Sequence, residues 1–323
     1  MQTSSSPSPR PDLSVVVVVG PLRERAAGCL ASLLAQDTVA RMEVLLVDLR
    51  TDLPPVAGAE HSAVVTLPMP PDTSFAEARV AAIRAARGAV VALVEEHSRA
   101  LPGWAAAVLG AHADGWAAVA SEMHVANPGI GAADINGVMN YGLFAPPLRR
   151  GEGTMAPPFH TSFSRAALVG LGDALESAAF SDICLWDEVR LRGGRLWQEP
   201  AARLAHINET TLRAPLVADY HFHRFWVGYR KAHEGWSLAR TLAVLLFVPL
   251  YPAYYLWLYG KRLQERDPAL ARLLWRHPLH VYLRQLGPAV GQAVGLLFGP
   301  GDAARRFTRY EIVEPRGTSA GSL

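Results

Sequence analysis

A set of apolar runs in the first 125 residues constrains the fold more than any other feature of the chain. LSVVVVVG, at 13–20, is apolar almost throughout. A strand with one wet face alternates apolar and polar residues, so this run predicts a strand buried on both faces. MEVLLVD at 42–48 and GAVVALV at 88–94 share that character, and SAVVTL and WAAVASE are shorter companions. Between them lie helical spacings: Leu22, Ala26, Cys29, Leu30, Leu33 and Leu34 share one face. Phe75, Ala78, Ala82, Ile83 and Ala86 do the same from about Ser74 to Arg87, and PGWAAAVLGAH gives a further helix. Strands alternating with helices predict an α/β fold, a mostly parallel sheet flanked by helices.

With half of its 323 residues hydrophobic, the chain can bury a large core. A net charge of +2 excludes the strongly basic surface expected of a nucleic-acid binder. Cys29 and Cys184 are too few for a disulfide framework or a thiolate zinc cage, which sets a reducing, cytoplasmic expectation. Residues 1–12 read as a disordered Ser/Pro-rich leader without the layout of a secretory signal. The Gly/Pro/Asn-rich stretch from His124 to Phe159 predicts loops over a site. Helical periodicity returns in SRAALVGLG and SDICLWDEVRLRGG, and RLWQEP is a later strand.

The last third differs. Thr241 to Gly260 holds no charged residue and is closed by Lys261 and Arg262. Such a run can span a bilayer, and its tyrosines and tryptophan suit an interface. Pro249 and Pro252 predict a kink, and Gln285 to Gly301 is a second uncharged run. Basic residues on both sides favour a segment that dips in and returns, or lies in the interface, over a single pass. The expected organisation is an α/β domain at 13–235 and a membrane-associated helical region and tail at 236–323.

VVALVEEHSRALPGW, from Val90 to Trp104, brings chemistry into view. Two acids and a histidine follow a buried strand, where an ionised carboxylate is costly unless it meets water, a cation or a ligand. Open α/β sheets bind ligands beyond the carboxyl ends of their strands. A solvated acidic turn is the alternative. A lone Gly20 follows the first strand, and neither G-x-G-x-x-G there nor a P-loop motif is present. Dinucleotide enzymes and P-loop NTPases are thereby disfavoured.

Five segments in order resemble a family 2 glycosyltransferase of GT-A fold, from about Leu13 to Arg240. They are LSVVVVVGPLRERAAGCLASLLAQ, EVLLVDLRTD, EARVAAIRAARGAVVALVEEHSRALPGW, FHTSFSRAALVGLG and SDICLWDEVRLRGGRLWQEPAARLAHIN. The resemblance implies inverting transfer from a nucleotide-diphosphate sugar, a UDP- or GDP-sugar, with Mn²⁺ or Mg²⁺ as cofactor. Glu95 and His97 take the outer positions of the family's D-x-D metal motif, and His206 matches a position that supplies a further ligand. Glu95 also falls beside the donor. Asp182 matches the general base, with a helix cap as its plain alternative. Asp48 matches the residue that reads the base or ribose, and Arg79 the arginine near the nucleotide. His160 and Trp104 fall on the acceptor side, while Asp187 and Glu188 read as solvated. With the apolar C-terminal region, the implied acceptor is a lipid-linked or cell-envelope glycan at the cytoplasmic side of a membrane. The sequence departs from the family at Val80, Leu49, the Glu-Glu-His triplet and the first loop, GPLRER. A catalytically degenerate relative, binding or scaffolding at the membrane, is the second reading.

Overall fold

The computed structural model describes residues 10–313. In its first part β1 (Leu13–Val19), α1 (Arg23–Leu34), β2 (Met42–Asp48), β3 (Val64–Pro68) and α2 (Phe75–Ala85) follow one another. Next come β4 (Val90–Glu95), β5 (Ser98–Ala100), α3 (Trp104–Ala113) and β6 (Ala118–Val125). The stretch expected to be loop contains α4 (Ala133–Tyr141) and the short β7 (Gly151–Gly153). Then follow β8 (Thr161–Ser164), α5 (Arg165–Val169), α6 (Ala174–Ala178), α7 (Asp182–Leu191) and β9 (Leu196–His206). Helices complete the described chain: α8 (Arg213–His233), α9 (Leu238–Phe247), α10 (Tyr251–Arg266), α11 (Pro268–Arg276), α12 (Pro278–Arg284), α13 (Leu286–Phe298) and α14 (Ala303–Val313). Most of the expected leader, and the tail after 313, lie outside the described residues.

The fold is α/β. One sheet runs in the order β3-β2-β1-β4-β8-β6-β9-β5, with β7 paired to β9. β1, β2, β3 and β4 are mutually parallel, as are β6 and β9. The sheet is mixed because β8 is inserted antiparallel between β4 and β6. Every residue of β1, β2 and β4 is buried, the both-face burial their unbroken apolar runs predict. The chain passes from β1 to β2 and β3 on one side and to β4 on the other. The crevice at the carboxyl ends of β1 and β4 is therefore a topological switch point, where open sheets bind ligands.

Sequence sets the helix ends. Ser74 and Glu77 form a reciprocal capping box that starts α2, and Ser181 caps α7. Leu238–Arg266 is one helical run, long and apolar enough by length and composition to cross a membrane. It divides into α9 and α10 through a 3₁₀ turn at Val248–Leu250, where Pro249 and Pro252 interrupt regular bonding. The second uncharged run has another explanation. Added Cβ atoms on Gly287, Gly291 and Gly295 of α13 would meet backbone oxygens of Leu216, Tyr220 and Arg224 at 2.3, 2.3 and 2.5 Å. The glycines let α13 lie directly against α8.

The catalytic and C-terminal segments expected from the sequence share one core. Phe307 and Ile312 of α14 belong to the same buried cluster as β1, β2 and β4. A smaller cluster joins α4 to α10, α11 and α12 through Met139, Tyr259 and Leu274.

Candidate functional site

Val18 of β1 is in register with Glu95 of β4, and Val19 with Asp48 of β2. Asp48 and Glu95 thus leave the same edge of the sheet on strands either side of β1. Two strand spacings put their backbones about 10 Å apart.

Glu95 is the centre of a buried polar cluster. Its Oε2 lies 3.4 Å from His97 Nε2, 3.3 Å from His206 Nε2 and 2.9 Å from His160 Nε2. Tyr141, from α4, donates its hydroxyl to the same oxygen at 3.2 Å. His97 arrives on the turn after β4, His206 on the last residue of β9, and His160 just before β8. β5 and β9 pair Ser98 with His206, which brings the two distant histidines together. Their Nε2 atoms stand 2.8 Å apart. His160 has a φ of +73°, uncommon outside glycine, and its Nε2 also meets Ser98 Oγ at 3.1 Å.

Electrostatics follow from this geometry. Burial alone would raise the Glu95 pKa, but the adjacent imidazole of His97 and the hydrogen bonds of His160, His206 and His97 hold it well below the usual carboxylate range. Burial lowers the His160 pKa, against the opposing pull of Glu95. His97 Nδ1 faces Glu96 Oε2 at 3.2 Å, and His206 Nδ1 faces Asn208 Oδ1 at 2.8 Å. Both partners are acceptors, which places the proton of each neutral ring on Nδ1. Two Nε2 lone pairs and a carboxylate then point into one small space, an arrangement that favours a cation among them.

Glu95, His97 and His206 could hold a metal ion, their ligand atoms all lying within 4.8 Å of one another. Donors held about 2.0–2.2 Å from a metal at tetrahedral or right angles lie about 3.0–3.5 Å apart, close to the spacings here. The Nδ1 partners Glu96 and Asn208 are the outer groups that such ligands use to fix ring orientation. Glu96 is itself paired with Arg25 of α1.

A second charged pair lies deeper. Asp182, the first residue of α7, is wholly buried; its Oδ2 accepts from Thr161 N–H at 2.6 Å and its Oδ1 from Arg79 Nη1 at 3.3 Å. Arg79 also reaches the carbonyls of Ala179 and Phe180, and lies 5.5 and 5.0 Å from the ring centroids of Phe75 and Phe159. Burial lifts the Asp182 pKa to about 7, against the lowering by Arg79 and by the Thr161 amide.

No protein-family profile matches the sequence, and no curated protein matches it. Geometry is the basis for a functional reading.

The structure brings together Glu95, His97, His160 and His206, with His160 beside Glu95 instead of standing apart on an acceptor face. Arg79 is not exposed to a nucleotide; it is buried against Asp182. Trp104, expected on the acceptor side, is a core residue whose indole N–H reaches Ser121 Oγ at 3.3 Å. Asp182 is not the cap of α7, because Ser181 takes that place. Glu188, expected to be solvated, is buried among Arg192, His233 and Tyr229. Asp48 accepts a fork of bonds from Arg23 at 2.9 and 3.1 Å and one from Arg50 N–H at 2.9 Å. Arg23, Tyr141 and Asn208 were not singled out from sequence. Only Arg23 carried a signal, as a cation just after the first strand.

A cavity of about 310 Å³ opens from Glu95 and His206 toward α8, α10 and α12. Phe307 of α14 lines it and stacks on Phe159, with ring centroids 6.1 Å apart. Beyond it, Ile312 fills the space above Gly20, where an added Cβ would meet the Ile312 carbonyl at 2.7 Å.

Proposed function

We propose that the chain is a metal-dependent, inverting glycosyltransferase of family 2 and GT-A type, moving a sugar from a UDP- or GDP-sugar to a lipid-linked or cell-envelope glycan acceptor. One observation carries this reading: a carboxylate and two imidazoles converge at the exit of β4, beside the switch point of the sheet. A bound divalent cation would offset the charge that grows on a departing diphosphate. Two imidazoles favour manganese or another transition metal over magnesium.

The chain's residues divide the remaining work. Glu95, His97 and His206 hold the cation; Glu96 and Asn208 orient the two rings. Asp48, held rigid by Arg23, meets the base or ribose. The acceptor hydroxyl oxygen bonds to the anomeric carbon as the bond to the diphosphate breaks, and the hydroxyl proton passes to Asp182. Arg79 positions Asp182. Asp182 is wholly buried and does not line the cavity, so proton transfer requires a movement that exposes it. Asp182→Asn should abolish transfer and leave nucleotide binding intact; unchanged turnover would remove Asp182 as base.

The apolar helix supports a membrane-surface location. Its window of mean hydropathy 1.6 is only 11% buried. Leu242, Leu246, Leu250, Tyr254 and Trp257 are exposed along it, and Lys261 and Arg262 follow. Tyr251, Tyr255 and Tyr259 turn inward to the cavity, so one face stays with the protein. That division suits a helix lying in the interface of the bilayer, apolar side down. Release from membranes by high salt alone would contradict insertion of this face; release by detergent is expected.

One observation favours the second reading. With Ile312 over Gly20 and Asp48 already bonded to Arg23, the donor side is filled by the chain's own groups, as in a non-catalytic binding module. Under that reading Glu95→Ala and Asp182→Asn would leave biological activity unchanged.

A further inference from the structure

The cavity beside Glu95 has a composition that specifies more than an acceptor in general. Its walls are largely aromatic and aliphatic, with Phe222 and Trp226 from α8, Tyr251 and Tyr255 from α10, and Met139 from α4. Within these walls three buried polar atoms have no hydrogen-bond partner among the described residues: His223 Nδ1, Trp226 Nε1 and Gln285 Oε1. Gln285 is 4% exposed. His223 is neutral near pH 7, since burial and the nearby Arg284 push its pKa down to about 3.

Of the two arginines in the wall, the buried one, Arg284, is already matched. Arg284 donates to Asp219 at 2.8 Å and to Asn140 Oδ1 at 2.5 Å. Beyond Arg284 the wall's charges are the acids Glu95, Glu209, Asp219 and Glu311 and the exposed Arg262, so an otherwise apolar lining disfavours an anionic head group. About 310 Å³ is at the small end for ligand pockets, enough for one short apolar segment and its head. The exposed residues of the lining are Met155 and Arg262. Arg262 is on α10, the helix whose opposite face carries exposed Tyr254 and Trp257. A single helix thus separates the cavity from the surface proposed to meet the bilayer.

We infer that this cavity is a chamber for the hydroxyl-bearing end of an uncharged isoprenoid or alkyl lipid, drawn from the membrane past α10. The apolar segment lies among Phe222, Tyr251 and Tyr255. Its hydroxyl meets the Glu95–His206 end. The inference rests on the transferase reading for the hydroxyl's role, but not for the binding itself.

Full-length protein in detergent-free buffer, mixed with radiolabelled farnesol and assayed by equilibrium dialysis, tests it. Farnesyl phosphate serves as the charged counterpart of the same chain. Saturable binding of one equivalent of farnesol is expected, with farnesyl phosphate bound more weakly. Ala218→Leu, which places extra atoms in the cavity, should weaken farnesol by about tenfold or more. Unsaturable binding, or binding unmoved in folded Ala218→Leu, would place the lipid on the outer face of α10 and overturn the chamber. Tighter binding of farnesyl phosphate would overturn its uncharged character. A nucleotide-dependent melting shift alongside absent farnesol binding would sink this inference alone and leave the transferase reading standing.

Discussion

Replacing Asn208 by alanine isolates the contribution of ring orientation to the proposed metal centre. Asn208 is 1% exposed and its Oδ1 holds His206 Nδ1 at 2.8 Å, on the side of the ring away from Glu95. Removing it frees the ring to rotate and to carry its proton on Nε2, the atom required as a ligand. Loss of such an outer partner typically lowers metal affinity by about 10–100-fold. A metal present at about 100 times its dissociation constant stabilises a fold by about 2.7 kcal/mol. For a chain of 323 residues, an unfolding entropy near 0.7 kcal/mol/K converts that into a rise in Tm of about 4 °C. At the same Mn²⁺ concentration the variant should retain about 0.4–1.4 kcal/mol, a rise of about 2 °C or less. Differential scanning fluorimetry of each protein with Mn²⁺ and with EDTA reads the difference within one variant, so a lower baseline Tm cancels. A shift in Asn208→Ala equal to that of the unaltered protein would refute the role given to Asn208 in holding the His206 ring. An equal shift in His206→Ala would refute the metal centre itself.

Other expectations follow from the same geometry. Because Asp182 must be ionised to accept a proton, kcat/KM should fall as pH drops through about 7, and a pH profile with no acid limb near that value would contradict its role. Its folded pKa stands above the ordinary 3.8, so the unfolded chain loses this proton first. Stability should therefore decline as pH rises from about 4 to about 7 and then level off, a slope that Asp182→Asn removes in urea unfolding. Gly291→Leu should destabilise the protein by about 1–3 kcal/mol or more by driving α13 from α8, read as a lower urea midpoint. Mg²⁺ should raise the melting temperature less than Mn²⁺ at equal concentration, given two imidazole ligands; equal shifts would argue for a mainly oxygen-bound site.

Much of the sheet was legible because its signal is local. Unbroken apolar runs can be read one at a time, and β1, β2 and β4 lie close to where their runs begin and end. The antiparallel β8 was not, because TSFS carries too little pattern to fix its direction, which is set by its pairing with β4 and β6. At the site, the sequence indicated Glu95, His97 and His206 but not what surrounds them. Tyr141 comes from a helix inside a Gly/Asn-rich stretch with weak periodicity, and its approach to Glu95 depends on tertiary packing. Arg79 and Asp182 were each assigned to substrate, whereas burial pairs them with one another, a choice no spacing along the chain could show. The glycines of α13 read as weak helix formers; their purpose is visible only once α8 lies against them.

The central claim is that the Glu95–His97–His206 edge receives a nucleotide diphosphate with a cation. Its most direct test is the melting temperature of the purified protein against UDP, GDP, dTDP and NAD⁺, each with and without Mn²⁺. UDP or GDP should raise the melting temperature by about 4 °C at saturating concentration, only when Mn²⁺ is present, with NAD⁺ inert. No shift with any diphosphate in Mn²⁺ would contradict the donor site and favour the non-catalytic reading.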